Sequence, residues 1–297
     1  MTTTTTRRAA AVQAAGPAHR PARRSLRGLP VRILVALLLV VEIYPLVWVL
    51  LASFKTQDEI LGDPFWALPG HVDLHNYVSA FTTGNLGRYV ANSALAVFPS
   101  LFLTLLLGTA AAFALEVLVW KGRGIVLLTF LAGIMVPLQM VLLPLFTIYF
   151  RTNLTGTLWP LIITYTASGL PLTVFMVATY FRAVPREMFE AATLDGAGVL
   201  RSFWSIGVPL VGNAIFTVGL VQFFFLWNDL LIALTFTNSE DLRTIQVGLL
   251  NFTGQYGQVQ YGPLFAAICV NVFGTLLIYL FLNDRVQRGL AAGSVKG

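Results

Sequence analysis

Groups that could do chemistry are few in this chain, and they fall into two settings. The first is inside long apolar stretches. Trp227-Asn228-Asp229 lies near the end of one stretch, with Gln222 about two helical turns earlier; Gln139, Tyr165 and Ser168 sit in two others. Polar groups surrounded by hydrocarbon are costly, so they are the default functional candidates. Aromatic faces pack against C–H surfaces, and planar amides and carboxylates bond hydroxyls, so these residues suit a polyhydroxylated ligand. They equally suit hydrogen bonds between neighbouring helices, and both readings stand. The second setting is a polar gap that opens at Val184-Pro185 and gathers Glu187, Glu190 and Asp195-Gly196. Its residues suit a docking surface, not bond making.

Several kinds of chemistry find no residues here. Lys55 follows Phe54 and precedes Thr56, while Lys121 and Lys296 precede glycines, so there is no Gly-Lys-Ser/Thr and no phosphate-cradling loop. No nucleotide and no other cofactor is therefore expected on this chain. His19, His71 and His75 lie outside the apolar stretches, and no His/Cys spacing fits a metal site. Cys269 is the only cysteine, so it forms no intrachain disulfide and reads as a small core residue. A membrane enzyme would need catalytic groups converging at one depth, and a channel would need rings of pore residues. Neither pattern is visible.

The elements that carry these residues are set by composition. The chain has 297 residues, 57% hydrophobic and only 11% charged, whereas a soluble domain carries about 25% charged residues. Mean hydropathy is +0.77. Six stretches are long enough to span a bilayer: 33–54, 91–119, 124–150, 158–181, 206–236 and 263–282. In hydrocarbon the backbone must satisfy its own hydrogen bonds, so each is expected to be a helix. An even number of spans puts both termini on one side. Fifteen of the nineteen lysines and arginines fall on the side of the termini and Glu190; only Lys55, Arg88, Arg151 and Arg243 fall opposite. The excess of basic residues predicts that the first side is the cytoplasm. The net charge of +6 thus reflects topology and not nucleic-acid binding. Residues 1–30 read as a disordered cytoplasmic tail, 31–283 as the transmembrane domain and 284–297 as a cytoplasmic C-terminal tail. A signal peptide has an apolar core of about 7–15 residues, so the longer stretch 33–54 reads as an uncleaved first span. Glu42, in the middle of that span, reads as a buried carboxyl bonded to a neighbouring helix. Glu116 reads as an interfacial residue.

The polar gap reads as helix–turn–helix. Pro185 suits the first helical position, and Glu187 and Glu190 suit the positive end of the helix dipole. Met188, Phe189 and Ala192 share a face, with Leu194 close to it, and predict an exposed apolar knob. Asp195-Gly196 ends the helix, and Val199, Phe203, Trp204 and Ile206 resume the apolar pattern. Such a loop can rest on lipid headgroups or dock into a partner.

Glu190-Ala191-Ala192, three residues, Gly196, nine residues and Ile206-Gly207-Val208-Pro209 resemble the EAA loop of ABC-importer permeases; Val208 stands where the family has Leu. Other pieces, in order, resemble the smaller permease subunit of maltose-type carbohydrate importers. They are Ser53-Phe54-Lys55, Asn76-Tyr77, Asn92-Ser93, Pro137 with Gln139 and Pro144-Leu145-Phe146, Trp227-Asn228-Asp229, and the C-terminal Arg288-Gly289-Leu290-Ala291-Ala292-Gly293-Ser294-Val295-Lys296-Gly297. The resemblance implies an all-α, six-helix permease of the type I importer fold in a bacterial cytoplasmic membrane, moving a sugar and catalysing no reaction itself. It implies a homologous second permease, a dimer of ABC ATPases that binds ATP and Mg, and an extracytoplasmic sugar-binding protein, soluble or a lipoprotein. Glu190, Ala191, Ala192, Asp195 and Gly196 would couple to the ATPase, and Gly293 and Lys296 would reach it from the C-terminus. Trp227, Asn228, Asp229, Gln222, Gln139, Tyr165 and Ser168 are the candidates for the sugar path. The loop 237–262 would approach the binding protein.

Overall fold

A computed structural model describes residues 29–254 and 258–294, with side chains from 30 to 281. The expected N-terminal tail, but for its last two residues, and Lys296 lie outside the described residues. So do Gln255, Tyr256 and Gly257 of the last loop.

The described chain is helical, with one isolated antiparallel bridge, Thr253 to Val259. It falls into two units that part inside helix α1 (Leu29–Ala52), between Val47 and Trp48. In the first unit, every large apolar side chain of α1 from Val31 to Val47 is exposed. Glu42 is exposed among them within this unit. A helix apolar all round gives no sequence signal for which face is covered.

The second unit begins with the end of α1 and a folded loop. α2 (Gln57–Gly62) opens on a capping box: Glu59 Oε2 accepts from Thr56 N–H at 2.8 Å, and Thr56 Oγ1 accepts from Glu59 N–H at 3.3 Å. α3 (His75–Thr82) is tied back to the turn that follows α1 by Asn76, whose buried amide donates to the carbonyls of Ser53 and Lys55, both at 2.9 Å. Two of the sequence pieces quoted above are therefore one latch.

α4 (Leu86–Glu116) and α7 (Trp159–Arg182) pack closely along their lengths. Small residues make this possible, as helices in lipid associate through close backbone approach. A Cβ on Gly108 would lie 2.5 Å from Thr173 Cγ2, and one on Gly169 would lie 2.9 Å from Thr104 Cγ2.

Between them the expected third span is broken. α5 (Arg123–Ile134) and α6 (Leu138–Arg151) meet at 97°, across Met135-Val136-Pro137. Proline supplies no N–H and disfavours a helical residue before it. The expected fifth span is broken too. α8 (Glu187–Leu194) and α9 (Val199–Ser202) lead through a π-helical turn, Phe203–Gly207, and α10 (Val208–Leu210) into α11 (Gly212–Trp227), at 74°. Pro209 lies within this bend, and α11 stops at Trp227, before the separate α12 (Leu231–Phe236). A short helix α13 (Ile245–Gly248) precedes α14 (Tyr261–Ser294). α1, α4, α7 and α14 can each cross a membrane by length and composition, and the two bent pairs would bring the spans to six.

Buried apolar side chains form two clusters. One gathers Tyr89, Leu161, Tyr165, Phe223, Trp227 and Phe236; the other gathers Phe113, Val177, Phe181, Phe189, Phe203 and Val218. α4, α7 and α11 run through both. Where one cluster gives way to the other, each helix carries polar groups: Thr104, Thr173 and Gln222, all buried.

Candidate functional site

α8 is built by its backbone. The carbonyls of Pro185 and Arg186 accept the first free N–H groups, from Met188 and Phe189 at 3.3 and 2.9 Å. Pro185 thus stands ahead of the helix and not at its first helical position, a correction by two residues. At the other end, Ala197 N–H returns to Ala192 O at 2.9 Å, and Gly196 N–H returns to Thr193 O at 3.0 Å. With Gly196 at φ +78°, this is a Schellman close, and glycine is the residue that adopts that φ without strain. Glu187 and Glu190 fall in the first turns, as the dipole favours.

The two faces of α8 differ from expectation. Phe189 is buried in the chain's own second cluster and Ala192 is buried too; they do not form part of an exposed knob. The outward apolar groups are Met188 and Leu194, the latter 89% exposed, followed by Leu200 and Trp204. Glu190, Ala191, Asp195 and Gly196 are also exposed. Of the five expected coupling residues, four therefore face away from the chain and Ala192 faces into it. At the same end of the bundle Arg182, closing α7, pairs with Glu116, closing α4. Sequence reading had Glu116 at the interface but missed its partner, which lies 66 residues away.

The polar residues within the stretches are brought together only in part. Trp227 Nε1 donates to Asn271 Oδ1 on α14 at 2.9 Å, and both residues are buried. Gln222 Nε2 donates to Gly169 O at 2.9 Å and to Thr173 Oγ1 at 3.0 Å. Asp229 accepts from Tyr165 OH at 2.9 Å and from Ala233 N–H at 3.0 Å, so its carboxylate also caps α12. Ser168 donates to Tyr165 O at 3.2 Å and is exposed. Asn228 is exposed, donates to Phe224 O at 3.0 Å and accepts from Gln246 Nε2 at 3.2 Å. Gln139, in the first turn of α6, is exposed and shares no side-chain hydrogen bond with these residues among those described. Asp229→Ala is expected to destabilise the purified protein by about 1–3 kcal/mol, because Tyr165 is left without an acceptor and α12 without a cap. Asp229→Asn, which keeps one acceptor oxygen, should lose less; thermal unfolding in detergent compares the two.

At the far end of α4, Asn92 donates to the carbonyls of Asp241 and Arg243 at 2.8 and 3.0 Å, and Ser93 Oγ accepts from Ile245 N–H at 2.9 Å. This latch holds the last loop across the bundle. Beside it opens a pocket of about 540 Å³ lined in part by Glu240, Arg243, Asn251 and Gln260. Tyr89, Glu240, Asn251 and Arg243 form a hydrogen-bonded chain at its edge. Nothing in the local sequence signals that network, since its members are brought together from α4 and the last loop. Among the described residues no three His, Cys, Asp or Glu side chains gather as a metal site.

Comparison with known proteins adds to this geometry. Residues 24–290 match a family described as the binding-protein-dependent transport system inner membrane component. The chain is 35% identical over 258 residues to the diacetylchitobiose uptake system permease protein of Streptomyces coelicolor, covering 86% of this chain and 85% of that one. It is 32% identical over 271 residues to the sulfoquinovosyl glycerol transport system permease protein of Agrobacterium fabrum, covering 91% and 95%. A chain of a bacterial ABC transporter that imports the acidic polysaccharide alginate shares the fold, with a TM-score of 0.75 at 19% identity over 88% of this chain and 97% of that one.

Proposed function

Because this chain belongs to the family of binding-protein-dependent transport inner membrane components, we propose that it is the permease subunit of an ATP-driven importer of oligosaccharides. The chain is a multi-pass membrane component of an ABC transporter and not its ATPase. A saccharide substrate is supported by the relatives, whose names specify diacetylchitobiose and sulfoquinovosyl glycerol.

The observation that carries the coupling role is the geometry of α8. Its backbone is closed at both ends, it is anchored by Phe189 and Ala192, and it turns Glu190, Ala191, Leu194, Asp195 and Gly196 outward. In this reading that face enters a cleft on one of two ATPase subunits, which hold ATP and Mg. Closure of the ATPase dimer moves α8 and rocks the bundle from inward-facing to outward-facing. A homologous second permease completes the bundle, and an extracytoplasmic binding protein delivers the sugar at the end bearing the loop 237–262. Six spans with both termini in the cytoplasm follow if each bent pair crosses once, and the placement of fifteen of the nineteen basic residues supports that orientation. Residues from 284 on, Gly293 and Lys296 included, then reach toward the ATPases.

For the sugar path, the exposed Asn228, Ser168 and Gln139 are the side chains free to meet a substrate. Tyr165 and Asp229 line the region as a bonded pair, and Gln222 and Trp227 hold the helices. The test is reconstitution with the two ATPases, the second permease and the binding protein. A di- or oligosaccharide is expected to raise ATP hydrolysis and to be taken up. Stimulation by a polyamine or an inorganic anion in its place would overturn the substrate class, and uptake by this chain without any ATPase would overturn the assignment.

A further inference from the structure

The inward face of α8 meets the second cluster through Phe189, whose ring packs on Phe113 of α4. Phe113, near the end of α4 and 3% exposed, has ring centroids of three phenylalanines around it: Phe203 at 5.3 Å, Phe181 at 5.6 Å and Phe189 at 5.7 Å. All three are edge-on, the arrangement that aromatic quadrupoles favour. The three come from three different elements: α8, the end of α7, and the π-helical turn that feeds α11. The fourth side of the ring is bare backbone. A Cβ on Gly207 would lie 3.1 and 3.2 Å from Phe113 ring carbons, so glycine is what lets the turn close on the ring. The π-helical turn itself is defined by Val208 N–H reaching back to Phe203 O, five residues earlier. Such turns are uncommon and occur often at functional sites.

We propose that Phe113 is the positioning residue through which movement of α8 passes to the spanning helices. The inference rests on the coupling role of α8 given above and names the part of the chain that receives the motion. Without the ring, α8 is joined to the bundle by the chain ends at Val184-Pro185 and Ala197-Gly198, by the small buried Ala192 and by whatever contact Phe189 finds in the space left. A packed interior transmits displacement because it does not yield. A void beside Phe189 lets α8 move without carrying α4. Glu116, three residues on from Phe113, pairs with Arg182 and ties the same ends of α4 and α7. Displacement delivered to Phe113 is thereby shared between two spans.

The experiment uses the whole transporter in proteoliposomes and reads sugar moved per ATP hydrolysed, together with yield and melting temperature of the assembled complex. Phe113→Ala is expected to lower that ratio about tenfold or more, the scale of a typical coupling free energy. Phe113→Leu, which refills most of the space, should restore much of it. Phe113→Ala combined with Phe189→Ala should be no worse than Phe113→Ala alone, since the Phe113–Phe189 contact is already lost in it. Gly207→Ala, whose methyl would press on the Phe113 ring at 3.1 Å and merely touch Phe181 at 3.5 Å, should lower the ratio in a complex of normal yield; it decides the matter if Phe113→Ala does not assemble. Uptake and hydrolysis that fall in equal proportion, or a ratio unchanged in Gly207→Ala and Phe113→Ala alike, would overturn the proposal. A wild-type complex without ATP-dependent uptake would instead overturn the coupling role of α8, and this proposal with it.

Discussion

Gly196→Pro is expected to abolish uptake while leaving the chain in the membrane. Gly196 sits at φ +78°, and proline is held near −65°, so the two conformations exclude each other. Proline also has no N–H, so the bond from Gly196 to Thr193 O is lost as well. The last turn of α8 has to open, at a cost of about 3 kcal/mol or more if the strain resembles that of proline inside a helix. Gly196 is exposed, and a Cβ there would meet nothing within 4 Å, so this damage stays local. What changes is the outward face that carries Glu190, Ala191 and Leu194. Gly196→Ala gives a graded comparison. A left-handed alanine costs about 1–2 kcal/mol, which α8 can absorb, and uptake should fall less. Membrane fractionation reads insertion and labelled sugar reads transport. Normal uptake in the proline variant would remove α8 from the coupling path.

The second large effect lies in the middle of the bundle. Gly108→Val is expected to lower the stability of the purified protein by about 1–3 kcal/mol, toward the upper end of what overpacking costs. The first added carbon would stand 2.5 Å from Thr173 Cγ2 and 3.0 Å from its Cβ. Thr173 has little room to retreat, because it is fully buried and its hydroxyl accepts from Gln222. Moving it would strip one partner from an amide that has no water to turn to. The same site tolerates less as the side chain grows, so Gly108→Ala should fall between wild type and valine. Melting temperature in detergent orders the three, and an unshifted valine variant would show that α4 and α7 can separate freely.

How much of this could be read from the chain varies with the physics behind each feature. The helices formed by Glu187–Leu194 and Val199–Ser202 were legible because polar gaps carry local signals: paired carboxylates at one end, Asp-Gly at the other. Facing was not. Phe189 and Met188 are both apolar, and a short helix that packs on its own chain and also shows apolar groups outward gives no local signal for which residue does which. Burial of Phe189 follows from Phe113, which is 76 residues away in sequence. Pro137 and Pro209 mark kinks in the sequence, and the chain breaks there, but apolar runs of 27 and 31 residues gave no sign that the angles would reach 97° and 74°. The inner polar residues were legible as a group and ambiguous in role. Gln222 and Trp227 find their partners at Gly169, Thr173 and Asn271, and a sequence without contacts cannot distinguish a helix-to-helix bond from a ligand bond. The quoted pieces Asn76-Tyr77 and Asn92-Ser93 carried the family resemblance, and the structure gives them work as latches for the two loops opposite α8.

The bond from Gln222 to α7 also constrains how the protein is made. An unpaired amide at the centre of a new helix opposes its entry into hydrocarbon. Both acceptors of Gln222, Gly169 O and Thr173 Oγ1, belong to α7, which leaves the ribosome first. When α11 enters the membrane, the partner of Gln222 is already there, whereas the indole N–H of Trp227 has to wait for Asn271 on α14. For the central amide of α11, the order of the helices along the chain therefore matches the order in which polar needs can be met.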